Sequence, residues 1–198
     1  MISIVDYGVG NLKSLENALN YLDFDCKRIN APEEVARVEK MILPGVGAFG
    51  YAMQNIEALR LKAALIETAN RGVPVLGICL GMQIFFTFSS EGGNQAGLNL
   101  IQGAVKRIAG PLKVPHIGWN EIQSKSSILF KNLPSTRFGY FVHSYYCLPE
   151  NESWVTATTE YGETFVSAVE RDNVFGVQFH PEKSQELGLK ILQNFAEL

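Results

Sequence analysis

Short apolar runs alternate with longer stretches of helical spacing through the first half of the chain. Ile2 to Val5 is a compact strand-like run, and Leu12, Leu15, Leu19 and Leu22 then recur at the interval of one buried helix face. "CKRIN" (26–30), "MILPG" (41–45) and "VPVLGI" (73–78) predict a second, third and fourth strand, with helical segments between them. Strands separated by helices are the pattern of parallel βαβ units. The β-branched density of Val73, Val75 and Ile78 predicts a central strand covered on both faces.

The texture changes in the second half. "GAVKRI", "YFVHSYY", "WVTATTEY", "FVSAVER" and "VFGVQF" follow at hairpin-like intervals with Gly, Asn and Asp between them, predicting an antiparallel or mixed extension of the sheet. Residues 185–198 place Leu187, Ile191, Leu192 and Phe195 on one face of a last helix, with Ser184 as candidate cap. No repeat, low-complexity tract or linker divides the 198 residues. The expected fold is therefore α/β: one domain over residues 1–198, with a mostly parallel central sheet, flanking helices and an antiparallel extension.

Composition narrows the function classes. A hydrophobic fraction of 46% and a charged fraction of 19% describe a soluble globular chain. The net charge of -3, with Lys and Arg scattered singly, provides no footprint for nucleic acid, so a small molecule or a protein is the expected partner. Met1 leads into "ISIVDYG" without the basic region and long apolar core of a signal peptide, and no apolar run reaches membrane-spanning length; a cytoplasmic location is expected. Cys26, Cys79 and Cys147 stand at unrelated spacings, unlike a disulfide framework or a paired-cysteine zinc site.

One of these cysteines sits in a distinctive frame. Gly77-Ile78-Cys79-Leu80-Gly81 has the spacing of a nucleophile elbow, a sharp strand-to-helix turn whose glycines make room for the strained residue, with sulfur in place of a hydroxyl. The helix that follows would aim its N-terminal dipole at the sulfur and favour thiolate. The alternative is a structural cysteine at the end of a buried strand.

A nucleophilic thiolate requires a base and a group that orients the base. His180 follows the apolar run "VFGVQF", and Glu182 stands two positions on, across Pro181, whose ring stiffens the segment. Glu182 is then the candidate carboxylate for the imidazole; otherwise His-Pro-Glu merely ends a strand. A zinc site is the weaker alternative, because no further ligand falls at a suitable spacing. "PGVGAFG" (44–50) could supply oxyanion donors from the amides near Val46 and Gly47, joined by the amide of Leu80. As a phosphate-binding turn it lacks the P-loop lysine and does not match G-x-G-x-x-G. "DYGVGNL" (6–12) reads as a tight βα turn.

"LPGVGAFG", "GICLGMQ" and "GVQFHPEKS", in this order along the chain, resemble the class I (triad) glutamine amidotransferases, which take ammonia from glutamine through a cysteine thioester. With "DYGVGNL", "VPHIGWNE" and "YFVHSYY" the resemblance narrows to the glutaminase subunits of imidazole glycerol phosphate synthase and covers essentially the whole chain. It implies Cys79 as nucleophile, His180 as general base and then acid, and Glu182 as the orienting carboxylate. It implies that Gly45, Val46 and Gly47 lie along the glutamine and oxyanion site, that Gln83 and Glu91 recognise the amino-acid head group, and that His143, Ser144 and Tyr145 border the pocket. The implied partner is a cyclase subunit built as a (β/α)8 barrel, forming a heterodimer, with Asn11, Trp119, Asn120 and Lys183 at the junction. Without the resemblance, Trp119 reads as ordinary core. No metal or organic cofactor is implied. The chain departs from the pattern at Ile117, where methionine is more usual, and in the glycines after Glu91. A paralogue feeding ammonia to a sugar nucleotide would share these motifs, because the acceptor belongs to the partner.

Overall fold

The structure is a computed structural model that describes residues 1–134 and 137–198. Its first half alternates as the spacing predicts: β1 (Ile2–Val5), α1 (Leu12–Tyr21), β2 (Cys26–Ile29), a single turn α2 (Pro32–Val35), β3 (Met41–Gly45), α3 (Phe49–Ala58), α4 (Leu61–Asn70), β4 (Val75–Cys79) and the one-turn α5 (Leu80–Gln83). The second half is mostly strand: β5 (Phe86–Ser89), β6 (Gln95–Ala96), β7 (Ile101–Arg107), β8 (His116–Glu121), β9 (Gln123–Ser124), β10 (Phe138–His143), β11 (Tyr145–Pro149), β12 (Val155–Tyr161), β13 (Glu163–Arg171) and β14 (Val174–Val177), then α6 (Gln185–Ala196).

The main sheet runs β2-β1-β3-β4-β14-β13-β11-β7-β5-β6, with β12 and β9 attached through β13. β2, β1, β3, β4 and β14 are parallel; β13 turns back antiparallel on β14 and starts the antiparallel extension. "VFGVQF" therefore does not end the extension at its margin: it returns to the centre and lies beside β4. "YFVHSYY" divides at Ser144, its first part pairing with β8 in a separate two-stranded sheet and its second joining the main sheet.

Alternation along the parallel strands sorts side chains to two faces. Val5, Met41, Leu43 and Val75 meet Phe49, Ile56, Leu61 and Leu65 of α3 and α4. Ile4, Ile42, Leu76 and Ile78 meet Leu12, Leu15 and Leu19 of α1 and Leu187, Ile191 and Phe195 of α6. β4 is central and fully buried, but it begins at Val75 rather than Val73 and runs on to include Cys79. α1 begins where Asn11 accepts a hydrogen bond from Ser14 N–H at 3.3 Å.

The turn from β4 into α5 is the tightest packing in the molecule's centre. A Cβ added at Gly81 would lie 1.7 Å from the Leu43 carbonyl oxygen, and one at Gly77 would lie 2.6 Å from the Gly81 carbonyl. Both glycines are needed for close approach: backbone occupies the space at Gly81, and at Gly77 the Phe85 ring, 2.5 Å from the added atom, crowds it together with the Gly81 backbone. Gly81→Ala is expected to destabilise the fold by about 3 kcal/mol, the upper range of overpacking costs, measured by urea unfolding; a variant as stable as the parent would contradict this packing argument.

Candidate active site

Cys79 is the last residue of β4 and the first link to α5, and it has φ 54° and ψ -108°. A non-glycine residue in that region costs on the order of 1–3 kcal/mol and persists only where its surroundings dictate it. Those surroundings are β3 and β14 on either side and α5 pressed against β3 through Gly81. The helix after Cys79 is only the single turn Leu80–Gln83, not the longer helix that a strong axial dipole would need. The donor that reaches the sulfur is instead a side chain: Gln178 Nε2 lies 3.6 Å from Sγ. The Val142 carbonyl is 3.9 Å from Sγ on another side.

His180 follows β14, the strand beside β4, and Glu182 lies in the 3-10 turn Pro181–Lys183. The imidazole Nδ1–H donates to Glu182 Oε1 at 2.8 Å, both side chains being buried. The backbone holds this turn in place: His180 N–H donates to the Tyr140 carbonyl at 2.9 Å. Ser184 Oγ donates to the His180 carbonyl at 2.6 Å and accepts from Tyr140 N–H at 3.0 Å. Ser184 thus occupies the cap position of α6 without a capping hydrogen bond, since its hydroxyl is engaged by the His-Pro-Glu turn. Burial alone lowers the His180 pKa, but Cys79 and then Glu182 outweigh it and push it up to about 10. The imidazole is therefore held as imidazolium near neutral pH, with Nε2 buried and free of a hydrogen-bond partner.

Beside the sulfur opens a cavity of about 170 Å³ lined by Val46, Gly47, Leu80, Gln83, Glu91, His143, Ser144 and Tyr145, with Cys79 in its wall. These elements are far apart in sequence: the turn after β3, α5, the bend after β5 and the break between β10 and β11. Gly45 is not in the lining; it ends β3, paired with Cys79, and a Cβ there would lie 2.9 Å from that of Leu80. Gly47 has φ 109° with open space where a Cβ would go, so its requirement is conformational rather than steric. Glu91 Oε2 accepts from Phe49 N–H at 2.8 Å, which fixes a carboxylate at the first turn of α3 and on the cavity wall.

His143 cannot serve as the base. Its Nδ1 is 2.9 Å from the Tyr145 carbonyl and its Nε2 is 3.0 Å from His116 Nδ1, so both ring nitrogens are engaged. Burial first of all, opposed by the bond to Tyr145, drops its pKa to about 4 and keeps it neutral.

The four residues expected at a partner junction divide into two kinds. Trp119 is 48% exposed, packs edge-on against Tyr140, and lies near Lys183, whose ammonium sits 5.6 Å from the Tyr140 ring centroid. Asn11 caps α1, and Asn120 turns inward, donating to the Glu160 carbonyl at 2.8 Å and accepting from Glu121 N–H at 2.8 Å. Ordinary core is thereby excluded for Trp119. Three further residues at the site escape the motif reading. Pro115 and Val142 enter the lining, and Gln178 reaches the sulfur. A polar residue inside the otherwise apolar run "VFGVQF" was the available sign of Gln178. Pro115 and Val142 carried no such sign.

The family described as "Glutamine amidotransferase class-I" matches residues 3–198. A relative from Moorella thermoacetica, "Imidazole glycerol phosphate synthase subunit HisH", is 50% identical over all of this chain and 94% of its own length. One of the same name from Chlorobium chlorochromatii is 50% identical over the full length of both chains. Among solved structures, "Crystal structure of glutamine amidotransferase" superposes with a TM-score of 0.78 at 18% identity, covering 100% of this chain and 99% of that one. At that identity the likeness is one of fold.

Because the folded-state pKa of His180 lies above its ordinary 6.5, the stability it contributes is complete below about pH 6.5 and is lost as pH rises through about 10. Glu182→Gln is therefore expected to lower the His180 pKa, read by NMR, and to cost more stability at pH 6 than at pH 10. Equal losses at the two pH values would show that the pair is not coupled through protonation.

Proposed function

We infer the roles of individual residues from one premise: the chain belongs to the class-I glutamine amidotransferases and, within them, to the HisH subunits of imidazole glycerol phosphate synthase. It is the glutaminase of that enzyme. It hydrolyses glutamine to glutamate and passes ammonia to the cyclase subunit, which forms imidazole glycerol phosphate and aminoimidazole carboxamide ribotide in histidine biosynthesis. Names carried by relatives at 43–50% identity do not favour the sugar-nucleotide acceptor.

The observation that carries the residue assignment is a strained cysteine at the cavity wall, backed by a buried imidazole–carboxylate pair whose pKa that cysteine raises. We assign Cys79 thiolate as the attacking group on the side-chain carbonyl carbon of glutamine. The electron pair of the carbonyl moves onto oxygen, where the amide of Leu80 and those near Val46 and Gly47 would donate to it. His180, protonated by virtue of its neighbours, delivers a proton to the departing nitrogen, and ammonia leaves as the thioester forms. The same imidazole, now neutral, takes a proton from water. The resulting hydroxide opens the thioester, and glutamate departs with Cys79 restored. Glu182 stabilises the imidazolium and fixes its Nδ1–H, leaving Nε2 for the transfers. Glu91, a fixed carboxylate, suits the α-ammonium of glutamine, and Gln83, His143, Ser144 and Tyr145 border the pocket around the head group and the amide, with Gly45 packed behind it against Leu80. No metal or organic cofactor has a place in these steps.

Ammonia in water near neutral pH is mostly ammonium, which is no nucleophile, so the product must reach its acceptor shielded from solvent. We assign the outer face of the β8–β10 ribbon to the HisF-type (β/α)8 cyclase of the heterodimer. Trp119, Tyr140, Ile117 and Phe138 bring exposed or half-exposed apolar surface together there, bounded by Lys183. We assign Asn11 and Asn120 to the same junction. We place the chain in the cytoplasm and treat residues 1–198 as one glutamine amidotransferase domain. No helix among the described residues is long and apolar enough to cross a membrane. The Gly47 turn is the candidate gate, since its amides must be aligned for oxyanion binding.

Glutamate release is expected to rise strongly when both the cyclase and its nucleotide ligand are present, and Cys79→Ala is expected to abolish it. Retained turnover in Cys79→Ala would end the assignment. Trp119→Ala is expected to weaken the heterodimer roughly 30-fold, equal to about 2 kcal/mol for an aromatic anchor, read by calorimetry. Unchanged affinity would move the interface elsewhere.

A further inference from the structure

Behind the cavity wall a polar chain runs from the half-buried Asn120 to the buried rings of His116 and His143. It begins at Asn120 on β8, whose orientation is fixed at two backbone groups: its amide nitrogen donates to the Glu160 carbonyl and its oxygen accepts from Glu121 N–H. Asn120 Nδ2 lies 3.3 Å from His116 Nε2, His116 Nδ1 lies 3.0 Å from His143 Nε2, and His143 Nδ1 lies 2.9 Å from the Tyr145 carbonyl. A carbonyl only accepts, so His143 carries its proton on Nδ1 and must accept at Nε2. His116 then carries its proton on Nδ1 and accepts at Nε2 from Asn120. The two ends of the chain therefore dictate the same tautomers. Burial, which lowers both imidazole pKa values to about 4, keeps both rings neutral as this pattern requires.

The Tyr145 carbonyl accepts a second bond, from Gln83 Nε2 at 2.9 Å. That fixes which end of the Gln83 amide is nitrogen, and the same nitrogen donates to Gln178 Oε1 at 3.2 Å. With its oxygen so engaged, the fully buried Gln178 must turn its NH2 toward Cys79 Sγ, 3.6 Å away. A buried amide donor aimed at sulfur stabilises the thiolate more than the thiol, because the charged acceptor makes the stronger bond.

We propose that Gln178 is a further residue of the catalytic centre, the hydrogen-bond donor that stabilises and orients the Cys79 thiolate. Its amide is held in one orientation by Gln83, which the Tyr145 carbonyl orients; His143, His116 and Asn120 act as positioning residues for that carbonyl, through the bond His143 Nδ1–H donates to it. The proposal deepens the assignment of Cys79 as nucleophile and rests on it. It also gives the partner-facing strand β8 a defined connection to the sulfur, since His116 and Asn120 flank Trp119 on that strand.

The test compares the parent chain with Gln178→Met, which keeps side-chain length and removes the donor, and His116→Phe. The phenyl ring preserves the stacking of His116 on Phe141 at 4.9 Å and on Tyr161 at 4.0 Å while removing both ring nitrogens. The first readout is the rate of Cys79 alkylation by iodoacetamide as a function of pH, located by mass spectrometry. The second is glutamine turnover of each variant in complex with the cyclase. For Gln178→Met the alkylation midpoint is expected to rise by about one pH unit, equivalent to a tenfold loss of thiolate below the midpoint. kcat is expected to fall about tenfold, with KM within about twofold. For His116→Phe both effects are expected in the same direction and smaller, with the near-ultraviolet circular dichroism of the parent retained. An unmoved midpoint and kcat in Gln178→Met would overturn the donor role. An unmoved midpoint in His116→Phe would overturn the positioning chain. Cys79→Ala separates the two levels: if it still turns over glutamine, the nucleophile assignment fails first, independently of Gln178.

Discussion

Everything functional here depends on one backbone constraint, the left-handed turn at Cys79. A β-strand buried on both faces cannot present a side chain to a substrate, because each residue points into one of two packed layers. Breaking the strand abruptly at its carboxyl end, at φ 54°, takes the cysteine out of that alternation and sets it in the wall of a cavity. The strain persists because α5 is pressed onto the Leu43 carbonyl, an approach possible only with hydrogen at Gly81, and because parallel neighbours clamp β4 on both sides. The adjacent strand β14 then determines the rest. Its register beside β4 carries the chain through Gln178 to His180, so the donor to the sulfur and the imidazole come from one short segment.

Burial works on the site in two opposed ways. Around His180 the low-dielectric surroundings disfavour charge, yet Cys79 and Glu182 win, so the imidazole is held protonated where a proton must be delivered. Around His143 and His116, among the described residues, no carboxylate is hydrogen-bonded to either ring, burial wins, and both stay neutral. Two kinds of histidine result from the same apolar packing, separated by whether Cys79 and Glu182 lie against the ring. The neutral pair is what allows a hydrogen-bonded chain with a single direction, since each neutral ring donates at one nitrogen and accepts at the other.

The β8–β10 ribbon and the His-Pro-Glu turn are not independent parts. β10 carries Tyr140 toward the outer face while its backbone receives His180 N–H and donates to Ser184 Oγ, and the Val142 carbonyl on the same strand lies beside the sulfur. A displacement of this strand would be felt at His180 and Cys79 through backbone contacts alone. Such coupling requires no long-range path, only one strand shared by two surfaces.

The elements of the parallel half, the cysteine elbow and the His-Pro-Glu turn were legible because local pattern determines them: apolar spacing, paired glycines and a proline-stiffened dipeptide act over a few residues. The family resemblance extended that legibility to the pocket residues from Gly45 to Tyr145 that it names, of which only Gly45 lies outside the lining. What the chain alone did not disclose was set by distant backbone. Ser184 looks like a helix cap, but its hydroxyl is taken by Tyr140 and His180, 44 and four residues away. Gln178 became a donor to sulfur only because Gln83, 95 residues distant, occupies its carbonyl. Sequence fixes which groups can donate, accept or ionise. Tertiary structure decides which of them meet, because a hydrogen bond acts over about 3 Å and no local pattern encodes a separation through a folded sheet.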